Sequence, residues 1–173
     1  MPTSFQAPMR GDSERKSTVS QSAETNLSTE TATVQRLLDQ KGGAIFSIKP
    51  EETLKDAVIL LGEKRIGALI VTDPHGALVG ILSERDIVRK LAKTPGQTLP
   101  QRVEEIMTRK VEVCDPTEAL VSVLRRMTKG RFRHMPVLKD GNLLGMVTIG
   151  DVVHFRLNEL EHEAIQLKQM IVG

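Results

Sequence analysis

Gly80-Ile81-Leu82-Ser83-Glu84-Arg85-Asp86 returns 65 positions later as Gly145-Met146-Val147-Thr148-Ile149-Gly150-Asp151. Each copy reads glycine, a short apolar run, a hydroxyl residue, and an aspartate three positions after it. Two such copies in a chain of 173 residues indicate a duplicated unit. The echo continues outward. Lys49-Pro50-Glu51-Glu52-Thr53-Leu54 aligns with Asp115-Pro116-Thr117-Glu118-Ala119-Leu120 at a spacing of 66. Arg65-Ile66-Gly67-Ala68-Leu69-Ile70-Val71 aligns with Arg131-Phe132-Arg133-His134-Met135-Pro136-Val137 at the same spacing. The spacing falls to 65 where Asp73-Pro74-His75-Gly76 is answered by the shorter Lys139-Asp140-Gly141. A one-residue difference fits a turn, where glycine is free to take positive φ.

Hydropathy gives both halves the same element order. Thr33 to Asp39 reads as a short amphipathic helix ended by Gly42-Gly43. Ile45 to Ile48 is a strand. Thr53 to Lys64 is a helix with Leu54, Ala57, Val58 and Leu61 at helical spacing. Ala68 to Thr72 and Leu78 to Leu82 are strands about a turn, and Ser83 starts a helix through Ala92. The second half repeats the order: strand Val111 to Val113, helix Thr117 to Thr128, strands Met135 to Leu138 and Leu143 to Val147, and a helix from Thr148. One such unit buries too little surface to be secure alone, and two packed together solve that. The expected class is α/β (α+β): two β-α-β-β-α repeats packed about a pseudo-two-fold axis, with an extra N-terminal helix and a long C-terminal helix. The expected division is a disordered tail over 1–30, a first repeat with its leading helix over 31–92, a linker over 93–108, and a second repeat with its extended helix over 109–173. The tail assignment rests on Ser, Thr, Gln and Glu with few large apolar side chains.

Composition excludes several functions. Net charge is +2, too slight to argue for nucleic acid, and no aromatic platform for base stacking is evident at 2% aromatic content. With no Trp or Tyr, a bound base is expected to rest on Ile, Val, Met or Pro surfaces. The single cysteine, Cys114, forms no internal disulfide and suits a reducing cytoplasm, and is read as a buried small residue rather than a nucleophile. No apolar run reaches 18 residues, so no membrane span is expected. Gly62-Glu63-Lys64-Arg65-Ile66-Gly67 begins like a P-loop, but Ala68-Leu69 follows where Lys and Ser/Thr are required. His154 and His162 lie eight apart with no cysteine near, a poor metal set. No catalytic constellation emerges, so the reading is binding without turnover: not an enzyme.

With these residues in register, the chain resembles a tandem pair of cystathionine-β-synthase (CBS) domains, a Bateman module of the small stand-alone bacterial type. Gly80 to Asp86, Gly145 to Asp151 and the phrase Val103-Glu104-Glu105-Ile106-Met107-Thr108 carry the resemblance, which covers about Thr31 to Arg156. It implies a regulatory sensor of adenosine-containing ligands such as AMP, ADP, ATP, NAD(H) or S-adenosylmethionine. It also implies that each motif aspartate accepts hydrogen bonds from the two ribose hydroxyls, and that the sites form crosswise. Ser83, Arg85 and Asp86 then share a site with Arg131, Arg133, His134, Met135 and Pro136. Thr148 and Asp151 share one with Arg65, Gly67, Ala68 and Ile70. The first site has the richer basic set and is expected to hold the more heavily charged phosphate group.

Each motif has a plainer reading, since Ser-x-x-Asp and Thr-x-x-Asp are also capping boxes. Both roles are compatible. The partners expected are an adenine nucleotide, a regulated protein of unknown identity, and a second copy of the chain. The last rests on Val153, Leu157, Leu160, Ala164, Leu167 and Ile171, a heptad seam spaced 4-3-4-3-4. The family resemblance likewise implies disc-like dimers. The competing reading is a constitutive dimeric scaffold with vestigial sites.

Overall fold

The computed structural model describes residues 32–172; the tail assigned to 1–30 lies outside the described residues. The first repeat starts with α1 (Val34–Lys41), β1 (Ser47–Ile48) and α2 (Leu54–Lys64). β2 (Ala68–Thr72), β3 (Leu78–Ser83) and α3 (Glu84–Lys93) complete it. A 3-10 turn at Val103–Glu105 leads into α4 (Leu120–Gly130), β4 (His134–Lys139), β5 (Asn142–Thr148) and α5 (Ile149–Val172).

β1 runs parallel to β2, and β2 antiparallel to β3, with Ala68 opposite Ser83 and Ile70 opposite Ile81. β4 pairs antiparallel with β5, His134 opposite Thr148 and Pro136 opposite Met146. Strand side chains alternate between faces. In the first repeat Leu69, Val71 and Leu82 therefore point into a core with Leu54, Ala57, Leu61 and Ile87. In the second, Met135, Val137 and Val147 pack with Val123, Met127, Val152 and Phe155. The opposite faces, bearing Ile81 and Ser83 in one repeat and Met146 and Thr148 in the other, are left for the space between the repeats. Each fully buried Leu, Ile or Val side chain contributes about 1.5–3 kcal/mol.

The segment ahead of each repeat packs on the other repeat. Val34, Leu37 and Leu38 of α1 belong to the second core, and Val103 and Met107 of the linker belong to the first. Backbone bonds match this exchange: Val34 N–H donates to Glu118 O at 3.0 Å, and Val103 N–H to Glu52 O at 2.9 Å. The leading helix expected with the first repeat thus buries its apolar face in the second.

Two expected elements differ. Val111 to Val113 is not a strand; only Cys114 forms a bridge, parallel to Val137. The cause is Pro136. In the first repeat Ile70 N–H donates to Phe46 O at 3.1 Å. Pro136 stands at the matching position and has no N–H to give, so the ladder stops after Cys114 N–H bonds Pro136 O at 3.0 Å. Helix α4 starts at Leu120, not Thr117. Thr117 instead donates from N and Oγ1 to Asp115 Oδ1 at 2.8 and 2.6 Å, a local turn that competes with helix. At the position of Thr53, which caps α2 through a capping box with Asp56, the second repeat has Ala119 with no side-chain cap.

Candidate functional site

Both motif copies sit where an antiparallel strand turns into a helix. Ser83 ends β3 in extended backbone and caps α3. Its N–H and Oγ donate to Asp86 Oδ2 at 3.1 and 2.6 Å, while Asp86 N–H donates to Ser83 Oγ at 3.4 Å. The capping box is therefore real, and its bonds to the carboxylate all fall on one oxygen, Oδ2. At the second corner Thr148 N–H donates to Asp151 Oδ2 at 2.9 Å, and Asp151 N–H to Thr148 Oγ1 at 3.0 Å. Here a cation joins in: Lys41 Nζ, at the end of α1, meets Asp151 Oδ2 at 2.5 Å and donates to Met146 O at 2.6 Å. The strand-to-helix turns are themselves equivalent, with Glu84 N–H on Gly67 O and Ile149 N–H on Arg133 O, both at 3.0 Å.

The two corners open into one continuous cleft of about 1230 Å³, lined by both repeats. Arg85 Nη1 crosses between the repeats to donate to Arg131 O at 2.9 Å. Arg65 and Arg131 terminate α2 and α4 in left-handed backbone, φ 52 and 56. Helices ordinarily place glycine there. Gly67 leaves room for the opposite repeat: a Cβ on it would lie 3.2 Å from His134 Nε2. Seven lysine and arginine side chains line the cleft against four carboxylates, so the cleft favours an anion. Burial holds His134 below the ordinary imidazole pKa; nearby Asp151 pulls it up, while Arg133, Arg85 and Lys41 push it further down.

Ten of the fourteen candidate residues line the cleft: Ser83, Arg85, Asp86, Arg131, Arg133, His134, Thr148, Asp151, Arg65 and Gly67. Four do not. Met135 points the other way, into the second core, where Arg126 Nη2 meets its Sδ at 3.1 Å. Ala68 and Ile70 share a strand face with Ser83 and Ile81 but are wholly buried. Pro136 is buried opposite Met146. The structure adds Lys41, Arg89 and Lys110 to the cationic wall, and Phe46 and Phe132 to the apolar one. The phenylalanines correct the expectation of a purely aliphatic wall: of four in the chain, two are here. Phe132 even excludes a side chain at Gly130, whose Cβ would fall 2.3 Å from its ring. Overall composition hid this, because a low aromatic count says nothing about placement.

Cys114 is buried, its Sγ 3.7 Å from Pro136 O, and burial pushes its thiol up to about 12. The thiolate needed for nucleophilic chemistry is disfavoured there. Among the described residues no helix is long and apolar enough to cross a membrane.

Comparison with known proteins agrees with this architecture. The family model for the CBS domain matches residues 44–93 and 103–158. A CBS domain-containing mitochondrial protein of Arabidopsis thaliana, CBSX3, is 34% identical over 83% of this chain and 74% of its own length. The crystal structure of the CBS-domain containing protein ATU1752 from Agrobacterium tumefaciens superposes with a TM-score of 0.71 at 38% identity, over 73% of this chain and 94% of that one. The CBS domain pair of protein MJ0100, solved in complex with 5′-methylthioadenosine and S-adenosyl-L-methionine, superposes with a TM-score of 0.66 at 27% identity, over 75% of this chain and 98% of that one. Domain pairs of this kind are regulatory ligand-binding modules. With two tandem matches, the exchanged leading segments and the doubled strand-to-helix corner, the chain belongs to the CBS domain family as a domain pair.

Proposed function

We propose that the cleft binds an adenosine-containing ligand, AMP, ADP, ATP or NAD(H), and that binding is passed to a partner protein without turnover. The observation that carries this reading is the Asp86 corner. Its carboxylate stands in a cationic cleft with its capping bonds confined to Oδ2. The other oxygen is available to a ribose hydroxyl, and a charge-assisted bond of this type contributes roughly 1.5–3 kcal/mol. Ser83 caps the start of α3, where the positive end of the helix dipole favours a phosphate oxygen. Arg133, Arg131 and Arg85 supply the positive wall for the phosphates. Phe46 and Phe132 offer the apolar surface a base requires. The cleft exceeds the roughly 300–1,000 Å³ of one small-molecule pocket, which fits two ligand positions. The ligands in the MJ0100 complex share the adenosine unit and support the same class here.

A thermal-shift panel with AMP, ATP, NADH, S-adenosylmethionine and a short oligonucleotide tests this. A nucleotide at one hundred times its dissociation constant stabilises the fold by about 2.7 kcal/mol. Asp86→Asn and Arg133→Ala should each reduce that shift while leaving the unliganded melting temperature near that of the wild type. A flat panel alongside a persistent dimer would instead establish the scaffold reading.

A further inference from the structure

We propose that Lys41 is the internal occupant of the second ribose corner, so that the two corners fill in order: Asp86 first, Asp151 only once Lys41 has been displaced. The inference rests on the adenosine-ligand reading above. Lys41 Nζ lies 2.5 Å from Asp151 Oδ2 and 2.6 Å from Met146 O, so the ammonium sits between the carboxylate and the strand carbonyl beside it. A ribose diol approaching Asp151 meets a carboxylate already neutralised by a cation. The first corner differs: Asp86 pairs with no lysine or arginine among the described residues, and the carbonyl matching Met146 O, that of Ile81, accepts Thr108 N–H at 2.9 Å.

Among the described residues of the first repeat no cation takes this place. The backbone bonds match the leading segments at a spacing of 69, Val34 to Val103, so Met107, packed beside Gly80, answers Leu38, packed beside Gly145, and Lys41 lies one turn beyond that apolar plug. Lys41 is also free to leave. It ends α1, and the next residue, Gly42, holds φ 83 with open space around it. Val34 and Leu37 anchor the rest of the helix in the second core, so only the last turn must move. The pair is part exposed, at 30% and 27% of the two side chains, which keeps it exchangeable by a competing ligand.

Isothermal titration with AMP and with ATP tests the order, using the full chain. Wild type should take up one equivalent, with any second site at least about tenfold weaker. Lys41→Met, which keeps the length and removes the charge, should take up two equivalents of similar affinity. Lys41→Arg, which keeps the charge, should behave as wild type. Asp86→Asn should remove the strong site from wild type but leave one in Asp86→Asn/Lys41→Met. Two equal sites in wild type, or a second site weakened by Lys41→Met, overturns the inference. No uptake of any adenosine ligand by wild type or by Lys41→Met overturns the adenosine reading itself.

Discussion

Arg65 and Arg131 occupy left-handed backbone at the ends of two equivalent helices, where a non-glycine residue costs roughly 1–3 kcal/mol. Glycine would carry no such cost, so an arginine at both positions points to a task for the side chain, and both line the cleft. Arg131→Gly separates fold from function. The bond from Arg85 survives, because it falls on the Arg131 carbonyl. Glycine relieves the strain but adds entropy to the unfolded chain, leaving a net gain of roughly 0.5–1 kcal/mol. Urea unfolding of the unliganded protein should show that gain, while titration with AMP or ATP should show affinity lower by about tenfold. An affinity equal to wild type would remove Arg131 from the phosphate wall. The motif residues and the arginines were legible because the duplication set Arg65 beside Arg131 and Asp86 beside Asp151. Lys41 was not legible. It lies 110 residues from Asp151, and only the packing of α1 on the second repeat brings them together.

At the scale of elements, period and duplication carried most of the fold, because helices with one apolar stripe and strands with one core face write distinct spacings. Val111 to Val113 escaped that logic. Its alternation reads as a strand, but the partner's missing N–H sits 23 residues further on, at Pro136. What holds the segment is a side chain. Arg126 on α4 donates from Nη2 to Val113 O at 2.9 Å and pairs with Glu118 Oε2 at 3.2 Å and, through Nη1, with Glu112 Oε2 at 3.7 Å. One guanidinium thus stands in for part of a ladder. Arg126→Met keeps the length and removes the donors, leaving the Val113 carbonyl without its partner. The expected loss is about 1–3 kcal/mol in denaturant unfolding. Hydrogen exchange should locate the damage: the amides of Cys114 and Leu138 should exchange faster, and those of β2 and β3 should not. Uniform acceleration across both repeats would mean that Arg126 supports the whole core rather than this element.

For the whole molecule, the cleft and the seam of α5 are separate pieces of surface. Val152 and Phe155 anchor the first turns of α5 in the second core, and Arg36 lies over the Phe155 ring and pairs with Glu159. Beyond that, the helix continues to Val172 with its apolar seam uncovered: Val153, Leu157, Leu160 and Leu167 are about half exposed, and Ile171 is 83% exposed. A soluble monomer rarely leaves a contiguous stripe of this length bare. Heptad spacing is the pattern that a second helix of the same kind would cover, and a two-fold pair is self-complementary. We expect a homodimer joined through α5. Sedimentation equilibrium should give twice the mass of the 19.1 kDa chain. Leu160→Glu with Leu167→Glu should give the monomer mass, because each glutamate would otherwise be buried opposite its own copy. Both positions are exposed within one chain, so circular dichroism of the double variant should keep the folded signature. Every cleft residue named above comes from a single chain, so the monomeric variant should still take up nucleotide. A wild-type chain that sediments as a monomer refutes the seam. A monomeric variant that loses nucleotide binding would show instead that the cleft depends on the second copy, and that assembly and sensing are one event.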